Sequence, residues 1–163
     1  MVAALPAAVK SGWPRQDAVF WRPSARKRIR SATMNLPITT LYAGLLGLLL
    51  LALSMAVSRH RMRARVSLGT GNDPQLERAV RAHGNFVEYV PFALILLALA
   101  EAQAAPGWLV HALGAALLLG RLLHVWGMSR PDGLGQGRRF GIALTWLMIL
   151  AASLTDLCYV LLG

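Results

Sequence analysis

Four long apolar stretches alternate with short polar or basic ones along the chain. The first, Leu36 to Val57, contains no charged residue. The second begins inside a polar stripe and runs to about Gln103; within it, Phe86 to Ala100 is apolar apart from Glu88 and Tyr89. The third runs from about Trp108 to Met128, interrupted by His111, Arg121 and His124. The fourth runs from about Phe140 to Leu162, interrupted by Thr145, Thr155 and Asp156. Each is close to the roughly 20 residues of helix that cross a bilayer core. The pattern predicts an all-α integral membrane protein, an up-and-down four-helix bundle with short connections.

Composition points the same way. Of the 163 residues, 56% are hydrophobic and only 15% charged, where a soluble domain carries about 25% charged. Mean hydropathy is +0.50. A net charge of +10 would suggest nucleic acid in a soluble protein. Here the arginines cluster beside apolar runs, which speaks for membrane topology and against nucleic acid. The single cysteine, Cys158, excludes a disulfide framework or a cysteine metal cluster within one chain.

The basic residues also predict orientation. Arg59, Arg61, Arg63 and Arg65 follow the first span, and Arg130, Arg138 and Arg139 follow the third. The connection around 102–107 and the carboxyl end carry none. The positive-inside rule then puts the first and third loops in the cytoplasm and both chain ends on the other side. The first 33 residues conflict with this, since they carry seven Lys or Arg, broken by prolines and a glycine, and no continuous apolar stretch of a signal peptide. Either residues 1–33 are a disordered leader, or Met34 is the natural start and they are a start-site artefact, the reading we favour. The membrane domain is then 34–163.

Candidate chemistry begins at the second span. Arg78, Arg81, Asn85 and Glu88 are spaced by three, four and three, so they share one helix face. A charge at a helix centre in the membrane costs about 2.5–3.5 kcal/mol, so a stripe of several is expected to hold something polar. Asp73 and Pro74 read as N-cap and first helical position, with Glu77 one turn on. Blander roles compete. Arg78 and Arg81 could snorkel to phosphates, and Asn85 could join helices. A structural Arg81–Glu88 pair is also open, and His83 lies off the stripe. On the third span Arg121 and His124 share a face, without a second ligand at metal spacing, so no metal site is expected. Arg138 and Arg139 open the fourth span at the same level. The convergence describes a recess for a small zwitterion or polyanion.

The run Arg-Ala-His-Gly-Asn-Phe-Val-Glu-Tyr-Val-Pro, from Arg81 to Pro91, resembles the signature of the MAPEG superfamily, the membrane-associated proteins in eicosanoid and glutathione metabolism. Supporting pieces are Val57-Ser-Arg-His-Arg-Met, Gly120-Arg-Leu-Leu-His and Arg-Arg-Phe-Gly from Arg138, in order over about residues 36–162. Gly84 and the compact chain are most similar to the bacterial inner-membrane branch. The resemblance implies a homotrimer in the bacterial inner membrane that binds glutathione as co-substrate between subunits. It implies a site of Arg59, Arg81, Asn85, Glu88, Arg121, His124 and Arg138, with Arg139 as the catalytic cation beside the thiol and Arg138 its close competitor. Two departures stand out: Gly84 replaces a basic residue, and Met128 replaces a tyrosine.

The leading expectation is a glutathione-dependent transferase acting on apolar electrophiles dissolved in membrane lipid. A noncatalytic membrane binding or scaffold protein of the same fold is the alternative. A transporter ranks last, because few acids lie within spans and no inverted repeat is visible. Gly44-x-x-Gly47 and the Gly114 to Gly120 region are expected to allow close helix packing.

Overall fold

A computed structural model describes residues 35–130 and 135–162. The leader and start-site readings of residues 1–33 lie outside the described residues. The four expected helices are present: α1 (Pro37–Ala64), α2 (Pro74–Ala102), α3 (Gly107–Ser129) and α4 (Gln136–Leu162). All four are long and apolar enough to cross a membrane.

α1 continues well past Val57, so Arg59, Arg61 and Arg63 ride on helix, where a loop was expected. Arginine is a good helix former, and charge ends a membrane span without ending a helix. The helix stops at Arg65, whose φ of 54° is left-handed and whose N–H returns to the Arg61 and Met62 carbonyls. α2 starts as read. Asp73 Oδ1 accepts from Gln75 N at 2.7 Å and Leu76 N at 3.1 Å, with Pro74 following. The Leu76 and Gln75 N–H groups hold this carboxyl below its ordinary value.

Side-chain bonds between helices fix the topology. α1 has no N-cap side chain of its own. Instead Glu101, near the end of α2, accepts from Ile38 N at 2.9 Å and Thr39 N at 2.7 Å. A carboxylate there meets both the orphan donors and the positive end of the helix dipole. Tyr42 donates to the His111 carbonyl at 3.1 Å, bringing the starts of α1 and α3 together. Gln103 Nε2 donates to Asp156 at 3.3 Å, bringing the ends of α2 and α4 together. Helices therefore alternate in direction, as an up-and-down bundle requires.

The core lies along α2 and α3, with Phe86, Ala93, Leu97, Val110, Leu117 and Met148 buried. α3 and α4 form the closest seam, and glycines make it. A Cβ on Gly141 would lie 2.5 Å from His124 N and 2.6 Å from the Gly120 carbonyl oxygen. One on Gly127 would strike the backbone of Gly137 and Arg138. Gly114 packs on the Tyr42 ring. Gly44 and Gly47, by contrast, have no other part of the chain within 4 Å of a Cβ position. The outer faces of α1 and α4 expose rows of leucine, among them Leu48, Leu51, Leu150 and Leu154. Apolar surface on that scale suits hydrocarbon as its surroundings.

Candidate functional site

The polar stripe of α2 opens into a recess of about 660 Å³ that also takes in the end of α3 and the start of α4. Of the residues expected there, Arg81, Asn85, Glu88, His124 and Arg138 line it. Arg78, Glu77, Gly84 and Met128 complete the wall. Arg81, Glu88 and Arg138 are exposed, and neither Arg81 nor Glu88 is engaged by another described residue. The opening thus presents three guanidinium groups, two carboxylates, an amide and an imidazole. The structural Arg81–Glu88 pair is not formed, since no ion pair or hydrogen bond joins these two residues.

Arg121 takes a different position. It is only 1% exposed and does not line the recess. Nη1 donates to Asn85 Oδ1 at 2.8 Å, and Nη2 donates to Thr145 Oγ1 at 2.6 Å and to the Gly141 carbonyl at 3.4 Å. Its guanidinium also lies 5.8 Å from the Tyr89 ring centroid, a cation–π contact. Thr145 itself donates back to Gly141 O at 2.9 Å. The glycine seam makes this possible, because only a close α4 lets the Gly141 carbonyl and Thr145 hydroxyl reach a side chain rooted on α3. Arg121 thereby engages the amide oxygen of Asn85, whose two amide N–H donors have no partner among the described residues.

The two arginines that open α4 part company. Arg138 lines the recess, whereas Arg139 is exposed and lies outside the lining of its own chain's recess. Successive helical residues point about 100° apart, so one face of α4 cannot hold both. Arg59 is also exposed and outside this lining. His83 bonds Ser54 through Nε2 at 3.1 Å, joining α2 to α1, in keeping with its place off the stripe. Among the described residues no group of three or more His, Cys, Asp or Glu could hold a metal.

Sequence reasoning did not reach Thr145, Gly141 and Tyr89 as partners of Arg121. The available signal was Gly137-x-x-x-Gly141, a close-packing spacing beside a polar Thr145.

Comparison with known proteins follows the same boundaries. A sequence model of the MAPEG family matches residues 39–157. The inner membrane protein YecN of Escherichia coli K12 is 42% identical over 122 residues, which covers 75% of this chain and 92% of that protein. The protein of the same name from Escherichia coli O6:H1 matches to the same extent.

Proposed function

The chain belongs to the MAPEG family of membrane proteins, and from that premise we propose that it binds glutathione in the recess beside α2 and joins the whole tripeptide, through its sulfur, to apolar electrophiles in the bilayer. The observation that carries this reading is the mixed charge of the recess at the mouth of an apolar bundle. Glutathione has two carboxylates, one ammonium and a thiol. Arg78 and Arg81 clamp carboxylates, Glu88 receives the ammonium, and Asn85, held by Arg121, donates to the peptide backbone. A thiol beside guanidinium groups loses its proton more readily. In a conjugate addition the thiolate sulfur then forms the new bond to carbon. The displaced π pair takes up a proton at the far carbon. Holding both reactants at one membrane surface supplies proximity.

Arg138 serves the thiolate within its own chain. Arg139 serves it only across a subunit boundary, which the homotrimer expected of this family would provide. Arg59, on the extended end of α1, belongs to the same outward group. The name of the Escherichia coli relatives supports an inner membrane placement, and the arginine-rich loops favour a cytoplasmic recess under the positive-inside rule.

A second reading is a noncatalytic membrane binding protein. Met128 favours it: this buried residue lines the recess and offers no hydrogen bond to a thiolate. Calorimetric titration of the detergent-solubilised protein with glutathione, followed by conjugation assays with several electrophiles, separates the two. Binding with turnover that Arg138→Ala or Arg139→Ala abolishes supports transfer. Binding without turnover favours the second reading, and no binding with no conjugation refutes the first.

A further inference from the structure

Arg121 is a buried cation whose partners are all neutral. Its hydrogen bonds end on the Asn85 amide oxygen, the Thr145 hydroxyl and the Gly141 carbonyl, and no ion pair joins it to an acid among the described residues. Its Nε is buried without any partner. A charge taken out of water ordinarily seeks one of opposite sign, and one stands close by. Glu88 follows Asn85 by three residues, about 4.5 Å along α2, on the face that lines the recess. The guanidinium already meets the ring of Tyr89, the next residue. Yet Glu88 is exposed and engaged by no other described residue.

What holds the two apart is on α4. Thr145 is fully buried and donates its own proton to the Gly141 carbonyl at 2.9 Å, one turn back. Its oxygen is thereby left to accept from Arg121 Nη2 at 2.6 Å, the shortest of the three bonds that Arg121 makes. Gly141 offers the same Nη2 only a 3.4 Å contact. With Nη1 tied to α2 and Nη2 to α4, the guanidinium bridges two helices. Without the hydroxyl, Nη2 keeps only the long bond, and the side chain is released toward the acid.

We propose that Thr145 is a positioning residue of the recess: its hydroxyl holds Arg121 on neutral partners and so keeps the Glu88 carboxylate free for a ligand ammonium group. That the ammonium is glutathione's rests on the reading of the recess given above; the anchoring of Arg121 does not. The consequence is selectivity, which is a difference between two affinities. A recess whose acid is neutralised from within loses its preference for a free ammonium and keeps its hold on carboxylates.

Valine and serine at position 145 separate the hydroxyl from the packing. The full-length protein in detergent is titrated calorimetrically with glutathione and with N-acetylglutathione, which lacks the ammonium. The unsubstituted protein and Thr145→Ser should prefer glutathione at least tenfold. Thr145→Val should prefer it less than threefold, through weaker glutathione binding, with affinity for N-acetylglutathione kept within twofold. Should Thr145→Val fail to fold, Thr145→Ala carries the same test. Affinity lost equally for both ligands marks a merely structural role and overturns the proposal. So does a preference unmoved by valine, or lost as far with serine. A second readout needs no ligand: in NMR spectra the Asn85 side-chain amide and Glu88 carboxyl resonances should shift in Thr145→Val and stay in Thr145→Ser. Resonances unmoved by valine, or moved as far by serine, overturn the proposal. Where the unsubstituted protein binds neither ligand, or binds both alike, the reading of the recess falls and these resonances alone decide the positioning role.

Discussion

The two ends of the bundle treat polar residues in opposite ways. At the end where α1 and α3 begin, several polar side chains bond across to other helices, although Thr39 Oγ1 and Asp156 Oδ2 stay unpaired. Glu101 holds two α1 amides, Tyr42 reaches the His111 carbonyl, and Gln103 reaches Asp156. At the other end Arg81 and Glu88 make no hydrogen bond to another described residue and face a recess. Hydrocarbon forces polar groups to find partners. Those whose partners are protein hold the fold together, and those that face open space are placed for a ligand. Arg121 shows that the division follows the partner and not the location. It sits at the recess end, yet its bonds go to Asn85, Thr145 and Gly141.

The largest test strikes the seam on which the recess is built. Gly141→Ala puts a methyl group 2.5 Å from His124 N and 2.8 Å from His124 Cα. These are backbone atoms, which cannot swing aside, so α4 must move. A loss of about 3 kcal/mol is expected from overpacking, together with weakened glutathione binding as Arg121 loses Thr145. Gly44→Ala, whose added methyl would meet no other part of the described chain within 4 Å, should leave fold stability unchanged or raise it by up to about 1 kcal/mol. Chemical unfolding in detergent reads both. Equal effects would mean that the glycine seam does not carry the site.

Glu101→Ala comes next. It leaves the Ile38 and Thr39 amides without their acceptor, and Glu101 is only partly buried, so about 1–2 kcal/mol should be lost. Glutathione affinity should stay the same. Glu88→Gln is its mirror image: stability unchanged, glutathione affinity down about tenfold, or about 1.4 kcal/mol. If Glu101→Ala weakens binding as much as Glu88→Gln does, the contrast between the ends fails.

Much of this was legible before any coordinates. The bilayer fixes the length and apolarity of a span, so all four helices could be read from hydropathy. The spacing of Arg81, Asn85 and Glu88 placed them on one face, and they do line one recess. Three things were not legible, each for a physical reason. The end of α1 lies beyond the apolar span, because arginines end the hydropathy without ending the helix. Nothing near Glu101 in sequence signals its role, since its partners lie on a helix more than sixty residues away. The rotation of α4 was open, because hydropathy does not tell which of two adjacent arginines faces α3. Gly137 and Gly141, one turn apart, settle that rotation by turning their face to α3.

The smallest effect is the finest test of the comparison. Asp73 lies at the recess end, outside the spanning helix, but its carboxylate is engaged by Gln75 and Leu76 amides. By partner it belongs with Glu101; by location it belongs with Glu88. Its pKa is lowered by those two amides, so its charged form stabilises the fold. That contribution is fully present above the unfolded-state pKa, about 3.9, and is lost as pH falls through the lowered folded value. Asp73→Asn should therefore lower the unfolding temperature slightly near neutral pH, and the gap to the unsubstituted protein should close as the medium is acidified through that range. Glutathione affinity should not change at neutral pH. A fall in affinity like that of Glu88→Gln would mean that nearness to the recess, and not the identity of the partner, decides what a polar residue does in this bundle.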